Sequence, residues 1–260
     1  MKITFIGGGN MAQAIISGLL ASKNTYDLEV IEPNNQTAEL IRNNLKIHVQ
    51  ADSKDISSDI FILATKPKDI EPACKDLNDK KSLYISIAAG ISTKKLSRYL
   101  KGAEKIVRVM PNLCAFQAKS MNAIYASRLI RASCEKEVDN IFESIGLNLW
   151  MQEESHINLA TAISGSGPAY IFLFINELIN SAIKIGIPKA EAKILIQQTL
   201  EGSVSLANKN IDNLNELIKN VSSKGGTTEA AINSLHEDQF GKIIFSAISK
   251  AANRAWELDQ

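Results

Sequence analysis

Apolar positions in the first 110 residues form short continuous runs, separated by stretches in which apolar residues recur every three or four positions. The runs are typical of buried strands, and the stretches between them are typical of amphipathic helices. The predicted strands are Lys2–Ile6, Leu28–Glu32, Asp59–Ala64, Leu83–Ile87 and Lys105–Val109, and the predicted helices are Met11–Ala21, Gln36–Asn43, Asp69–Leu77 and Thr93–Leu100. This alternation predicts right-handed βαβ crossovers and a parallel sheet covered by helices on both faces.

One more strand–helix–strand unit is predicted at Asn122–Ala126, Ala132–Ile145 and Leu147–Met151, and then the pattern changes. From Glu153 onward the apolar spacing is helical throughout, with breaks at 164–168, 186–188 and 222–226. The helices predicted there are Tyr170–Ile185, Lys189–Asn208, Leu214–Asn220, Thr227–Leu235 and Gln239–Leu258. We therefore predict an α/β domain over residues 1–152, followed by an all-helical domain over residues 153–260.

The predicted helix Tyr170–Ile185 is apolar around most of its circumference. A helix of this kind must be buried on more than one side. We interpret it as a homodimer interface within the helical domain, and an ordinary internal helix is the alternative. Assemblies larger than a dimer stay open at this point.

The composition is that of an ordinary globular protein, with 45% hydrophobic and 22% charged residues. The 29 basic and 28 acidic residues nearly cancel, which argues against a nucleic acid or an anionic membrane as the main partner. No uninterrupted apolar run approaches the roughly 18 residues of a membrane span, and the N-terminus does not have the features of a secretory signal. We therefore expect a cytoplasmic protein.

Cysteine and histidine spacing argues against disulfide and metal chemistry. Cys74, Cys114 and Cys134 form no C-x-x-C pair, and His48, His156 and His236 lie far apart in the sequence. Disulfide frameworks and zinc sites need closely spaced ligands. We therefore expect reduced cysteines and no metal ion.

Three glycines follow the first predicted strand directly, in the order Gly7, Gly8, Gly9, before Asn10, Met11 and Ala12. This G-x-G-x-x-A pattern, at a strand–turn–helix junction, is typical of a Rossmann dinucleotide-binding turn. The helix that follows offers its N-terminal N–H groups to a pyrophosphate. We therefore interpret the α/β domain as a Rossmann dinucleotide-binding domain.

Glu32, at the end of the second predicted strand, bears on the identity of the dinucleotide. A carboxylate there accepts hydrogen bonds from the adenosine ribose, but it repels a 2′-phosphate. Like charges ~5 Å apart, at an effective dielectric constant of ~20 to 80, repel by ~1–3 kcal/mol. Local chemistry thus favours NADH over NADPH, although Asn34 and Asn35 can hydrogen-bond a phosphate if Glu32 points away.

Further loops leave the carboxyl ends of later predicted strands, where open α/β sheets bind their ligands. Small residues in these loops permit a flat ring to approach the backbone closely. The cofactor-binding residues that we predict are Gly7, Gly8, Gly9, Asn10, Met11, Glu32, Asn34, Ala64, Thr65, Lys66, Pro67, Ala88, Ala89 and Gly90.

Six segments together give the chain a resemblance to the pyrroline-5-carboxylate reductase family over nearly its whole length. They are GGGNMAQAI at 7–15, KPK at 66–68, SIAAGI at 86–91, RVMPN at 108–112, SGSGPAY at 164–170 and SSKGGTT at 222–228. The resemblance implies a Rossmann domain followed by an all-helical dimerisation domain. It also implies reduction of 1-pyrroline-5-carboxylate to L-proline with NADPH or NADH, and the resemblance favours NADPH whereas Glu32 favours NADH.

The family's substrate loop matches this chain at Asn220, Ser223, Gly225, Gly226, Thr227 and Thr228. Consecutive N–H groups in a glycine turn before a helix form a concavity that binds anions, here the substrate carboxylate. An ordinary helix N-terminus explains the same residues equally well. The resemblance makes Thr228 the catalytic residue that orients the imine nitrogen, with water or protonation in solution supplying the proton.

This chain departs from the family pattern at Leu113, Cys114 and Lys224. These changes bear on efficiency and substrate fit rather than on the class of reaction. Two alternative functions stay open. One is a β-hydroxyacid dehydrogenase of similar two-domain plan, and the other is a dinucleotide-sensing module without catalysis.

Overall fold

The computed structural model describes residues 1–54 and 56–259, and it contains one eight-stranded sheet. The strand order is β3-β2-β1-β4-β5-β6-β7-β8. The strands are β1 Lys2–Ile6, β2 Asp27–Ile31, β3 His48–Gln50, β4 Ile60–Leu63, β5 Leu83–Ser86, β6 Ile106–Met110, β7 Ser120–Tyr125 and β8 Gly146–Trp150. The predicted strands are confirmed to within two residues, and β3 was missed because three residues are too few to show a period.

The parallel sheet predicted from the first 110 residues is confirmed, but the next strand along the chain, β7, pairs with β6 in the opposite direction. All neighbouring strands are parallel except β6 and β7, where Arg108 lies opposite Tyr125 in an antiparallel register. A parallel pair needs a crossover of about a dozen residues or more, and the connection from Met110 to Ser120 is shorter than that. The connection contains a 3₁₀ turn, Leu113–Gln117, which ends at Ala118 with φ +52°.

Eleven α-helices are found in the described part of the chain, five of them after residue 166. They are α1 Asn10–Ala21, α2 Asn35–Leu45, α3 Ile70–Cys74, α4 Thr93–Tyr99, α5 Arg128–Phe142, α6 Ser155–Ala160, α7 Gly167–Lys184, α8 Lys189–Lys209, α9 Leu214–Val221, α10 Thr227–Glu237 and α11 Phe240–Asp259. α3 begins one residue later than predicted, after a 3₁₀ turn at Pro67–Asp69, and ends three residues before the predicted Leu77, whereas α5 starts earlier than predicted, at Arg128.

The predicted break at 164–168 is wrong in kind. The chain there forms a π-helical turn, Thr161–Gly165, so that the helical path continues from α6 into α7. Turns of this type widen a helix locally and occur frequently at functional sites.

The hydrophobic core lies on both faces of the sheet. Ile3, Phe5 and Ile15 belong to one apolar cluster, which α1, α2 and α5 complete. Phe61 and Tyr84 belong to the other cluster, and their rings stack with centroids 5.3 Å apart. The predicted covering of the sheet by helices on both faces is confirmed.

By packing, the chain divides into two compact units, Met1–Pro168 with Lys250–Gln260, and Ala169–Ser249. Strands end with β8 at Trp150, close to the predicted boundary at residue 152. α6 nevertheless belongs to the first unit because Ile157 and Ala160 pack on Ala123 of β7. The boundary at 152 therefore marks the change of secondary structure, and as a domain boundary it stays a prediction.

The second unit has almost no interior of its own. Of its described residues, Ala192 is the one that is buried. One helical segment, Ser155–Lys184, is long and apolar enough to cross a membrane by length and composition alone. We did not expect such a segment because its apolar residues are interrupted by Ser, Gly and Asn.

Candidate active site

The glycine turn after β1 has the geometry that the sequence pattern predicts. Gly7 has φ +97°, and a Cβ there would lie 2.9 Å from Cγ2 of Thr65. At Gly9 a Cβ would meet nothing within 4 Å, and no side chain caps α1. The turn therefore leaves open space in front of the α1 N-terminus, where the N–H groups and the helix dipole attract a phosphate.

The half-buried Glu32 carboxylate points toward this turn and not away from it. Its Oε2 accepts a hydrogen bond from the Gly8 N–H at 2.9 Å, and its Oε1 accepts one from the Asn34 N–H at 2.8 Å. The Asn34 side chain is engaged elsewhere, since its Oδ1 accepts from the Thr37 N–H at the start of α2. A fixed negative charge thus lies beside the glycine turn.

Two further loops adjoin the turn because β1, β4 and β5 are parallel neighbours. The Ala64 N–H donates to the Ile6 carbonyl at 2.8 Å, which ties the loop Ala64–Pro67 to the turn. Oγ1 of Thr65 is buried and has no hydrogen-bond partner among the described residues. Lys66 is exposed.

The loop after β5 is held tightly. Ala88 is buried, and Gly90 has φ +68°. A Cβ at Gly90 would clash with Leu258 of α11, so glycine is required there. Ala89 is half-buried in the same loop.

Three observations fit a bound dinucleotide: the open space at Gly9, the N-terminus of α1 without a side-chain cap, and the unsatisfied Thr65 hydroxyl. The structure brings the predicted cofactor-binding residues together at one edge of the sheet in the first unit. The predicted substrate loop lies in the second unit and is described by itself.

That loop connects α9 to α10, with Gly225 at φ +72°. The Gly225 N–H donates to Oε2 of Glu229 at 2.7 Å, and the Gly226 N–H donates to the Ser223 carbonyl at 2.9 Å. The turn therefore already holds one carboxylate, which belongs to the chain itself. The amides of Thr227 and Thr228 lie in the first turn of α10 and have no partner within the helix.

The other predicted loop residues, Asn220 and Ser223, are exposed, and so is the Thr227 side chain. The Thr228 side chain is half-buried. The roles of this loop stay predictions.

Two of the segments that carry the family resemblance meet in the first unit. Nδ2 of Asn112 donates to the Ser164 carbonyl at 3.0 Å, and a Cβ at Gly165 would lie 2.6 Å from Cε of Met110. The end of β6 therefore packs directly on the π turn. Leu113, which begins the departure from the family pattern, is 49% exposed.

An ionic cluster around the buried Arg108, which the sequence pattern did not predict, lies beside this contact. Arg108 is 1% exposed, and its guanidinium lies 2.9 Å from the Glu154 carboxylate. Burial and the Glu154 charge raise the pKa of Tyr125, which lies opposite Arg108 in the sheet. The signal was an arginine in the middle of an apolar strand, because a buried charge needs a partner.

The two buried cysteines have the properties of structural residues. Burial raises the pKa of Cys74 to about 12 and that of Cys134 to about 11, so both thiols are protonated near neutral pH. Within the described residues no group of three or more His, Cys, Asp or Glu side chains is placed to hold a metal ion.

Comparison with known proteins gives a consistent result over the whole chain. A family model described as pyrroline-5-carboxylate reductase dimerisation matches residues 154–258, and one described as NADP oxidoreductase, coenzyme F420-dependent, matches residues 2–90. The chain is 34% identical to the pyrroline-5-carboxylate reductase of Pasteurella multocida, over 100% of this chain and 98% of that protein.

Two solved structures share the fold at full length. The pyrroline-5-carboxylate reductase of Streptococcus pyogenes is 32% identical, with a TM-score of 0.90 over 99% of this chain and 98% of that one. The pyrroline carboxylate reductase of Plasmodium falciparum, solved with NADP bound, is 28% identical, with a TM-score of 0.89 over 100% of this chain and 98% of that one.

Proposed function

The chain belongs to the pyrroline-5-carboxylate reductase family, and from that premise we propose that it reduces 1-pyrroline-5-carboxylate to L-proline with a nicotinamide dinucleotide. The observation that carries this proposal is the likeness to reductases of that name over the whole chain. It favours this reaction over the β-hydroxyacid dehydrogenase and the dinucleotide sensor that the residues alone left open.

The residues of the first unit would hold the dinucleotide. Gly7, Gly8 and Gly9 would let the backbone approach the pyrophosphate, and the N-terminus of α1 would face it with Asn10 and Met11. The loops Ala64–Pro67 and Ala88–Gly90 follow strands of the second half of the sheet, where the nicotinamide end belongs. When bound, the dinucleotide supplies the hydride.

We infer that NADH is preferred over NADPH. The Glu32 carboxylate accepts one hydrogen bond from the Gly8 N–H in the glycine turn and one from the Asn34 N–H. These two bonds hold its charge beside the turn. A ribose hydroxyl can donate to this carboxylate, whereas a 2′-phosphate is repelled by it.

We expect kcat/KM to be higher with NADH than with NADPH by about 5- to 150-fold, which corresponds to about 1–3 kcal/mol of like-charge repulsion. Glu32→Gln removes the charge but keeps an oxygen acceptor, so the preference should fall to within a few-fold. The matched control is Glu39→Gln, an equal charge change at an exposed position of α2. A wild-type preference for NADPH, or an unchanged ratio in Glu32→Gln, would contradict the assignment.

In the second unit, the start of α10 is proposed to bind the substrate carboxylate. The Gly225 N–H holds the Glu229 carboxylate, which supports the view that this turn attracts acid groups. The Thr227 and Thr228 amides then receive the substrate carboxylate, while Asn220, Ser223 and Gly226 shape the loop. The Thr228 hydroxyl orients the imine nitrogen for hydride transfer to the neighbouring carbon.

We further propose a homodimer formed through the helical unit. Ile171, Phe172, Leu173 and Phe174 point in successive directions around α7, and each is about half exposed or more. Exposed apolar residues also occur on α8 and α11, among them Ile194 and Phe245. A unit with so few buried residues cannot be stable by itself, and a second copy of the same unit supplies the missing contacts.

A membrane is the alternative partner for the segment Ser155–Lys184. It does not account for the exposed apolar residues of α8 and α11, which a second helical unit covers together with α7. We therefore propose a cytoplasmic protein.

One experiment tests the proposed reaction directly. In the first assay, oxidation of NADH and of NADPH is followed separately by absorbance, with 1-pyrroline-5-carboxylate as the substrate. In a parallel assay, small hydroxy acids are offered with the oxidised dinucleotides. We expect proline formation from the imine and no oxidation of the hydroxy acids. Tight dinucleotide binding without imine turnover would overturn the proposal and favour a sensor.

A further inference from the structure

Within the first unit, an ion pair between the buried Arg108 and Glu154, whose side chain is 25% exposed, joins β6 to the helix that follows β8. Arg108 lies on β6, with Ser86 of β5 and Tyr125 of β7 as its neighbours in register. Its Nη1 donates to Oε1 of Glu154 at 2.9 Å, and its Nη2 donates to Oδ1 of Asn158 at 3.2 Å. Both acceptors belong to the chain at or just before α6, so this one guanidinium anchors α6 to the sheet.

The same carboxylate also binds the start of α4. Oε1 of Glu154 accepts a hydrogen bond from the Thr93 N–H at 2.6 Å, and Oε2 accepts one from the Thr93 hydroxyl at 2.8 Å. Thr93 is the first residue of α4, immediately after the loop that follows β5. Glu154 thus connects that loop, β6 and α6 through a single carboxylate.

Stability alone does not account for this arrangement. Replacing a buried ion pair by apolar side chains of the same volume is often neutral or stabilising, so the Arg108–Glu154 pair is weak evidence for a role in stability alone. The Arg108 side chain is 2% exposed and its Nε finds no hydrogen-bond partner among the described residues. The pair does orient the start of α4, because the Glu154 carboxylate binds both the backbone N–H and the hydroxyl of Thr93.

The loop from Ala88 to Ser92 is therefore held at two points. Gly90, in the middle of the loop, packs against Leu258, and Thr93, which follows the loop, is held by Glu154. This loop leaves the carboxyl end of β5, in the half of the sheet that receives the nicotinamide end of a dinucleotide. The position of this loop would decide how closely the backbone approaches the nicotinamide ring.

We propose that Glu154, together with Arg108, is a positioning residue that fixes the β5–α4 loop against the nicotinamide end of the dinucleotide. This inference rests on the proposed function for the identity of the cofactor. In this proposal Glu154 has no direct contact with the cofactor or the substrate. It acts through Thr93.

The test compares two ligands that share the adenine half. NADH carries the nicotinamide ring, whereas ADP-ribose does not. In Glu154→Gln the Thr93 hydroxyl and amide lose a charged acceptor, so we expect weaker NADH binding and a kcat lowered by about 10- to 100-fold. ADP-ribose affinity should stay within about twofold of wild type, as for an independent distant site.

Two sets of variants keep the result interpretable. Glu153→Gln makes the same charge change at the adjacent, exposed position and should leave both affinities and kcat unchanged. Thr93→Val removes only the hydroxyl and leaves the Arg108–Glu154 pair intact, so it should reproduce the selective loss of NADH affinity without lowering Tm. Thr93→Ser retains the hydroxyl and should restore wild-type behaviour.

Equal losses for NADH and ADP-ribose would show a general structural role and overturn the proposal. So would unchanged NADH affinity and kcat in both Glu154→Gln and Thr93→Val. If Glu154→Gln fails to fold, the Thr93→Val and Thr93→Ser pair decides the question. A wild-type protein without imine turnover would refute the proposed function, while the comparison of NADH with ADP-ribose would still test the positioning role.

Discussion

Thr228→Ala is expected to lower the turnover number for 1-pyrroline-5-carboxylate by about 10²- to 10³-fold, the usual cost of removing one hydrogen-bond donor from developing charge. The Thr228 hydroxyl lies at the start of α10, where its half-buried side chain is proposed to orient the imine nitrogen. The dinucleotide is proposed to bind in the other unit, so its affinity should not change. Steady-state kinetics and the Kd for NADH measured together separate the two effects.

Thr228→Ser is the conservative control because it retains the hydroxyl, and we expect most of the turnover to be preserved. A hydroxyl is a poor acid, so the pH dependence of kcat should be the same in this control as in wild type. An unchanged turnover number in Thr228→Ala would remove Thr228 from the mechanism. A loss of NADH affinity in proportion to kcat would indicate damage to the fold.

Leu173→Glu is expected to break the proposed homodimer. Leu173 is 63% exposed in the single chain and lies on the most apolar part of α7. A charge placed at the centre of an apolar interface costs about 2–4 kcal/mol or more, as at an interface hot spot. The dimer Kd should therefore rise by about 30- to 1,000-fold. Analytical ultracentrifugation across a concentration series measures this directly.

Leu129→Glu is the matched control because Leu129 is 84% exposed on α5, which belongs to the first unit and is not one of the proposed interface helices. This control should leave the dimer intact. Because the helical unit has so little interior, dissociation in Leu173→Glu should also lower Tm and the helix signal in circular dichroism. A wild-type monomer, or a dimer unaffected by Leu173→Glu, would contradict the interface, and association that requires lipid or detergent would favour a membrane.

The strands and the glycine turn could be predicted because the interactions that form them are local. A continuous apolar run such as Lys2–Ile6 is recognisable without knowledge of its neighbours, and Gly7 needs its positive φ wherever the sheet lies. The antiparallel pairing of β7 was missed because it depends on a short connection with a 3₁₀ turn. The π turn was missed because the sequence S-G-S-G-P is typical of a helix break.

At the candidate site, the positions of the residues along the chain could be predicted, but the orientations of their side chains could not. Glu32 could be placed at the end of β2 from the sequence, but only the Gly8 and Asn34 N–H groups decide that its carboxylate faces the turn. Likewise, the substrate-loop glycines were recognised, but the bond from the Gly225 N–H to Glu229 was not. A side chain has several rotamers, and tertiary contacts choose among them.

The sequence by itself determined the order of strands and helices, the dinucleotide turn and the family, because each of these depends on residues that are neighbours along the chain. Only the tertiary structure decided that Arg108 meets Glu154 and Thr93, that Asn112 meets Ser164, and that α7 is left uncovered. These contacts join residues far apart in sequence, and the periodicity of the sequence does not predict them. The role of a buried charge or of an exposed apolar face is inferred from its burial, because only the folded chain shows which groups are removed from water.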